Sequence, residues 1–196
     1  MVADSQYRIG LCTQIREAYG RLVYTYTTQL KMANRLTKYR NRIKFWQICL
    51  SALSTTGFIG AVICDKMIAT YVGATFSAVL LALNLYTKNT NLVNEILAHR
   101  RTADKLWFIR EEYISLLTDF SILPDDEIIK KRDALSYKTG KVYETSPLTD
   151  QKSYCAAQKA LKNEEEQFFT PQEIDRMLPV HLRITNCENS EPSQSL

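Results

Sequence analysis

Residues that support catalysis and cofactor binding are scarce in this chain. It has two histidines among 196 residues, His99 and His181, and they lie far apart. The six glycines form no phosphate-binding loop, and none of the five cysteines belongs to a C-x-x-C pair. His99 falls on the apolar stripe of a predicted helix, where a hydrogen-bonded packing role is expected. The sequence therefore predicts no enzyme activity, no catalytic residues, no metal site and no cofactor.

Acidic residues are missing from the stretch between Ala18 and Cys64. Residues 1–64 carry nine Lys and Arg but only two Asp and Glu, whereas the remaining residues carry slightly more acidic than basic groups. The five cysteines are expected to be free thiols in a reducing compartment. This asymmetry of charge predicts the topology of the chain in a membrane.

Charge of either sign is missing from two adjacent runs, residues 45–64 and 67–87. A helix rises about 1.5 Å per residue, so each run is roughly 30 Å long, which matches the hydrocarbon core of a bilayer. Only Asp65 and Lys66 separate the runs. The pattern predicts an all-α membrane protein with a two-helix transmembrane hairpin. A buried hairpin in a soluble helical adaptor is the alternative, and a cleaved signal peptide is not expected so far from the start.

Basic residues close to both runs predict the topology of the hairpin. Basic groups at the ends of a span stay on the cytoplasmic side, so both termini should be cytoplasmic and only the tip should lie outside. The same groups fit anionic lipid headgroups, and nucleic-acid binding is a competing reading that we do not expect. The membrane-surface residues are Lys31, Arg35, Lys38, Arg40, Arg42 and Lys44.

Helical periodicity outside the runs predicts the domain organisation. Residues 1–120 should comprise a long basic helix, the hairpin and a returning helix over 88–120 that packs beside the first. Residues 121–184 should form a cytoplasmic helical tail, with helices from 124 to about 139 before Gly140, over 150–166, and from Thr170 to Pro179. Residues 185–196 are polar and predicted to be disordered.

Polar residues inside the two runs have two possible roles. Polar side chains are costly in hydrocarbon unless they are paired or face water. We predict that one face of the second run lines a pore, made of Thr70, Gly73, Ser77, Asn84 and Lys88. Small residues also allow close helix contact. The packing candidates are Gly57, Gly60, Ser51 and Thr55.

Several segments after the second run form a recognisable ordered set. They are 98–113 (AHRRTADKLWFIREEY), 132–135 (RDAL), 142–143 (VY), 147–149 (PLT), 154–161 (YCAAQKAL), 173–175 (EID) and 178–179 (LP). Together with the long basic helix and the hairpin, this set resembles the SLATT family, the SMODS- and SLOG-associating two-transmembrane effectors. The resemblance covers roughly residues 10–184, and its tail is similar to the fifth branch of the family. No single motif is specific, and the ordered set carries the resemblance.

This resemblance implies a pore-forming or membrane-disrupting effector in the inner membrane of a bacterium, acting in anti-phage defence by abortive infection. It implies a nucleotide-signalling enzyme, a nucleotide sensor or a reverse transcriptase encoded nearby, and it supplies no catalytic residues. One hairpin cannot enclose a water path, so a pore requires a homo-oligomer in the bilayer. The alternative is a membrane anchor or scaffold whose cytoplasmic helices recruit a soluble partner. Its docking surface would include Tyr7, Tyr19, Tyr24, Tyr26 and Tyr39.

Overall fold

One continuous helix, α1 (Val2–Cys64), forms the axis of the computed structural model. The structure describes residues 2–64, 67–164, 166, 169–180 and 183, without the side chains of 2–5, 61–64 and 89. At about 1.5 Å per residue, α1 is roughly 95 Å long. No proline interrupts it. The basic segment and the first apolar run therefore belong to one helix, as the absence of a helix breaker predicted.

Two further helices run back along α1. They are α2 (Met67–Asn89) and α3 (Leu92–Thr118), and both pack against it. Thr90 and Asn91 separate them, and the Thr90 hydroxyl donates a hydrogen bond to the carbonyl of Thr87 at 3.0 Å. The α1 partners move steadily toward the N-terminus as the chain proceeds along α2 and α3, which makes the pairing antiparallel. The opposed pairs are Gly57 with Gly73, Ser54 with Ser77, Gln47 with Asn84, Gln29 with His99, and Arg8 with Phe120.

The tail helices are α4 (Asp125–Thr145), α5 (Gln151–Lys162) and α6 (Pro171–Met177), and a short 3-10 helix (Asp119–Ser121) precedes them. The helix expected to end before Gly140 continues through it, which corrects the predicted end. A Cβ at Gly140 would meet nothing within 4 Å, and Val142 beyond it is buried. Ser146 ends α4 in an extended conformation because it precedes Pro147, which disfavours the helical region. The helix expected over 150–166 ends earlier, at Lys162.

The apolar core lies between the N-terminal half of α1, α3 and α4. Burying these side chains stabilises the fold by roughly 1.5–3 kcal/mol each. Arg8 lies at the end of this core nearest the N-terminus of α1. It forms a salt bridge with Asp125 at 2.8 Å and donates hydrogen bonds to the carbonyl oxygens of Phe120 and Leu123. The core residues are Leu11, Ile15, Leu22, Leu106, Ile109, Tyr113, Leu116, Ile128, Leu135 and Val142.

The chain divides into two compact units, Met1–Ala157 and Gln158–Leu196. The first extends well beyond residue 120, because α4 packs against α3 and α1. The second unit contains α6, whose start has the predicted capping box: Thr170 accepts from the Glu173 amide at 3.3 Å, and the Glu173 carboxylate accepts from the Thr170 amide at 2.7 Å. The segment 185–196, expected to be disordered, lies outside the described residues.

Candidate functional site

A ladder of polar contacts joins α1 to α2 within the two apolar runs. The Gln47 amide donates to the Asn84 side-chain oxygen at 2.8 Å and to the Thr87 hydroxyl at 3.2 Å. Farther along α1 toward its C-terminus, the Ser54 and Ser77 hydroxyls lie 2.5 Å apart. Hydrogen bonds of this kind between helices in hydrocarbon stabilise a pair by about 0.6 kcal/mol on average. We call Gln47, Ser54, Ser77 and Asn84 the polar ladder.

Two glycines bring the helices together above the polar ladder. A Cβ on Gly57 would lie 3.2 Å from the Gly73 Cα, closer than an ordinary van der Waals contact, and a Cβ on Gly73 would lie 3.4 Å from the Phe58 amide nitrogen. Gly73 is also buried, and its carbonyl accepts a hydrogen bond from the Ser54 hydroxyl at 3.4 Å. At Gly60 a Cβ would meet nothing within 4 Å. Close backbone approach at small residues is typical of packed membrane helices.

The outer surface of the α1–α2 pair is apolar and exposed. In a soluble bundle these side chains would be buried, whereas here they are exposed along residues 45–59 of α1 and 67–86 of α2. So large an apolar surface requires a lipid or protein neighbour. The exposed residues are Phe45, Trp46, Ile48, Leu53, Phe58, Ile59, Met67, Ile68, Tyr71, Val72, Val79, Leu81, Leu85 and Tyr86.

Within the part of the chain that the structure describes, one helical stretch, inside Met67–Ser121, is long and apolar enough to cross a membrane. It contains the second predicted span, 67–87. The first predicted span, 45–64, ends in residues 61–64, whose side chains are not described, and the tip, Asp65 and Lys66, lies outside the described residues. That both helices cross a membrane therefore remains a prediction.

The predicted pore-lining residues separate into two groups. Gly73, Ser77 and Asn84 contact α1, although the side chains of Ser77 and Asn84 keep an exposed side. Thr70 and Lys88 lie on the exposed surface. The structure thus brings three of the five against the first helix, where they help to hold the pair together.

Among the predicted packing residues, only Gly57 lies in the close contact. Gly60 faces open space, and the Thr55 hydroxyl donates to the Ser51 carbonyl of its own helix at 2.9 Å. Gln47, Ser54 and Thr87 were missing from both predicted sets. Gln47 is the only amide side chain in the first apolar run, and this was the signal for it.

A groove of about 630 Å³ opens beside the lower end of the polar ladder. Its walls combine the polar groups of Lys44, Gln47, Ser51 and Asn84 with apolar side chains. The ladder is therefore reached from one side of the helix pair. A water path along it would need a second surface to close it, which a single chain does not provide.

The predicted membrane-surface residues lie on one helix below the apolar run, and Arg35 has a specific partner. It forms a salt bridge with Asp150, the residue before α5. Asp150 also accepts from the Ser153 amide at 2.9 Å. Partial desolvation raises the pKa of Asp150, but hydrogen bonds from Ser153 and Arg35 outweigh it, so the pKa lies below its ordinary value. Lys38, Arg42 and Lys44 are exposed, and Arg40 is half-buried.

A buried polar pair links α1 to α3 below this region. His99 is fully buried, and its Nδ1 lies 2.5 Å from the Gln29 side-chain oxygen, which confirms the hydrogen-bonded packing role. The Gln29 amide donates to the Pro147 carbonyl at 3.2 Å, so the α4–α5 loop is tied to the same pair. Burial lowers the pKa of His99 below its ordinary value, although Glu95 and Asp150 act in the opposite direction.

Two of the three comparisons with known proteins found no match. A sequence model does match: the SMODS and SLOG-associating 2TM effector domain family 4, over residues 11–173. No curated protein and no solved structure matches the chain. The match covers most of the chain, and it replaces the fifth branch suggested by the tail motifs with family 4.

Proposed function

The chain belongs to the SMODS and SLOG-associating 2TM effector domain family, and from this membership we propose that it permeabilises a membrane as an oligomer. A membrane effector in a defence system is what the family implies. In this proposal α1 and α2 cross the bacterial inner membrane as a hairpin, with 45–64 and 67–87 as the spans. Both termini lie in the cytoplasm, because the basic residues flank the hairpin on that side.

The observation that carries the proposal is the polar ladder inside an apolar helix pair. Gln47 and Asn84 satisfy each other only in part, because an amide has two donor hydrogens and two acceptor lone pairs. In hydrocarbon the remaining capacity is costly, whereas in a water-filled lumen it is hydrated. Several hairpins arranged in a ring, with the ladders facing inward, supply that lumen.

In the assembled pore, Thr70, Lys88 and the exposed sides of Ser77 and Asn84 face the water path, whereas Gly73, which was predicted to line it, is buried against α1. Asn84 forms a constriction and Lys88 lies at the cytoplasmic mouth. Because Ser77 and Asn84 bond to α1, Gln47 and Ser54 are brought to the same lumen. Both helices therefore contribute to the lining.

Control of the pore is assigned to the cytoplasmic helices. A pore that opened constantly would kill its host, so in the native cell a partner on the cytoplasmic helices must hold the closed state until a trigger releases it. The chain expressed or reconstituted without that partner is expected to open. The association named in the family description is consistent with a nucleotide-signalling enzyme encoded nearby, as a source of that trigger. We assign the chain to anti-phage defence by this route.

Expression of the chain in bacteria carrying a voltage-sensitive dye tests the proposal. The wild type should depolarise the inner membrane, and Asn84→Leu and Ser77→Leu should reduce the effect while leaving the amount of inserted protein unchanged. Leu85→Met, on the exposed apolar surface, is the matched control and should behave as wild type. Depolarisation that persists in both ladder variants contradicts the proposed lining.

A membrane anchor is the second candidate, and an exposed aromatic pair favours it. Trp107 and Phe108 stack edge to face on the cytoplasmic helix α3, with ring centroids 5.2 Å apart, and both are exposed. Such a pair is suited to docking a soluble partner. An anchor tolerates a scrambled apolar sequence in both spans, whereas a pore loses activity, so scrambling distinguishes the two.

A further inference from the structure

A second groove lies within the first unit, well away from the polar ladder. It has a volume of about 820 Å³ and lies between α1, α3, α4 and the start of α5. Tyr24, Tyr113, Tyr143 and Tyr154 line it. The volume falls in the range of small-molecule sites, and a groove that combines apolar walls with a few polar groups is the usual form of such a site.

Two glycines keep the groove open. Gly20 on α1 and Gly140 on α4 both line it, and a Cβ at either position would meet nothing within 4 Å. Glycine destabilises the interior of a helix relative to alanine. Packing within the chain gives no reason for glycine at either position, whereas the contact of Gly57 with Gly73 does so in the hairpin. Both positions therefore leave room in the groove for another molecule.

Tyrosine side chains and hydroxyl groups are concentrated around the groove. The rings of Tyr24 and Tyr154 stack with centroids 6.2 Å apart and an angle of 29° between their planes. The Tyr143 hydroxyl donates to Thr25 at 3.3 Å, and the side chains of Ser136 and Thr139 add further hydroxyls. Aromatic faces with hydroxyl donors nearby suit a planar aromatic ligand with polar edges.

Arg21 lies where the groove meets a smaller cavity. The smaller cavity, of about 180 Å³, shares Ala18, Arg21, Tyr113 and Ser136 with the groove. This cavity adds Arg132, whose guanidinium forms a salt bridge with Asp133 at 2.7 Å and donates to the Gln14 side chain at 3.1 Å, so a bound anion would share Arg132 with them. Arg21 lies 3.6 Å from Glu17, with both side chains about two-thirds exposed, at 68% and 65%. Exposed pairs of this kind contribute little, so an anionic group can replace the carboxylate as the partner of Arg21.

We propose that this groove binds a small planar aromatic anion, with its ring system among the tyrosines and its anionic group on Arg21 and Arg132. Two sources share this chemistry, a free nucleotide and an aromatic carboxylic acid. Either has a flat ring for stacking and an anionic group for bidentate contact with a guanidinium. The inference goes beyond membrane permeabilisation and uses none of the ladder residues.

Calorimetric titration of the full chain in detergent tests the site. The probes are adenosine 5′-monophosphate and indole-3-acetate, with adenosine and inorganic phosphate as the two separated halves of the first. At least one aromatic anion should bind saturably, and whichever binds identifies the source. Failure of both, or binding of inorganic phosphate as tight as that of the aromatic anions, overturns the proposal.

Filling the groove gives the sharpest variant. Gly20→Leu and Gly140→Leu should abolish binding, and both should fold because the new side chain enters open space and leucine favours helix. Gly10→Leu is the matched control, since a Cβ there also meets nothing within 4 Å and Gly10 lies outside the groove. Helical circular dichroism verifies the fold of all three. Binding retained by the filled variants overturns the proposal.

Arg21→Gln separates the anionic contact from stacking. It should raise the dissociation constant of the aromatic anion about tenfold or more, because a charge-assisted hydrogen bond is lost. Any binding of adenosine should be unchanged. Equal loss for both probes contradicts a role for Arg21 in recognising the anion. Because the readout is direct binding, the result is independent of whether the chain conducts ions.

Discussion

The side-chain amide of Gln47 donates a hydrogen bond to the side-chain oxygen of Asn84, with 2.8 Å between nitrogen and oxygen. The two residues lie on different helices and face each other inside an otherwise apolar pair. This contact fixes the register of α1 against α2 at the end of the pair nearest the basic segment. It also leaves hydrogen-bonding capacity on both amides that only water or another polar group can use.

Removing this contact should weaken the helix pair modestly. Gln47→Leu and Asn84→Leu are each expected to lower the free energy of unfolding by about 0.5–1 kcal/mol, with a coupling of about 0.6 kcal/mol between them. Denaturant titration of the purified protein in detergent measures the two single variants and the variant that carries both changes. Strict additivity of the two single changes would show that the residues do not interact.

A side chain at Gly57 should separate the helices, whereas one at Gly60 should not. Gly57→Leu places atoms against the backbone of Gly73, and overpacking of this kind costs about 1–3 kcal/mol. Gly60→Leu enters open space and serves as the matched control. Thermal unfolding in detergent compares the two variants, and equal midpoints would contradict the close approach of Gly57 to Gly73.

Acid should destabilise the bundle of α1, α3 and α4 through His99. Its folded pKa lies below the unfolded value of 6.5, so the unfolded state binds the proton more readily. The contribution of the neutral imidazole to the free energy of unfolding is therefore fully present above pH 6.5. It is lost as the pH drops from 6.5 toward the folded pKa, by at most about 1.4 kcal/mol per pH unit. Thermal unfolding between pH 7.5 and 5.5 measures the slope. His99→Gln should reduce that slope, and an unchanged slope would assign the effect to other groups.

The contact of Asp150 with Arg35 should hold the first turn of α5. Asp150 caps that turn through the Ser153 amide, and loss of a capping side chain costs about 1 kcal/mol. Asp150→Ala should therefore speed amide hydrogen exchange in residues 151–157, and Arg35→Ala should do so to a smaller extent. Lys152→Ala, at an exposed position, is the control. Exchange that is equally slow in all variants would show that α5 is held by other contacts.

Much of the helical framework follows from sequence patterns, because each depends on local chemistry. The continuity of α1 follows from the lack of a breaker, and the start of α6 follows from Thr170 and Glu173. The prediction that a helix ends before Gly140 was wrong, because glycine ends a helix only where the chain turns. Here the helix continues, and Val142 is buried as a result.

The pairing of side chains between helices could not be predicted in the same way. The polar face of the second run was visible in the sequence, but whether it faces α1 or a lumen depends on the rotation and register of two helices. Gln47 and Asn84 are 37 residues apart, and nothing local connects them. The groove between α1, α3 and α4 likewise depends on the packing of three helices. Of its tyrosines, only Tyr24 belonged to the docking surface predicted from the sequence.

Ion flux through liposomes reconstituted with the purified wild-type chain tests the central claim most directly. The account predicts dissipation of a potassium gradient at high protein-to-lipid ratio, with a steep dependence on that ratio because several chains form one pore. Asn84→Leu and Gln47→Leu should reduce the flux, and Leu85→Met should leave it unchanged. No flux from inserted wild-type protein at any ratio, or equal flux from the ladder variants, would contradict a pore lined by the polar ladder.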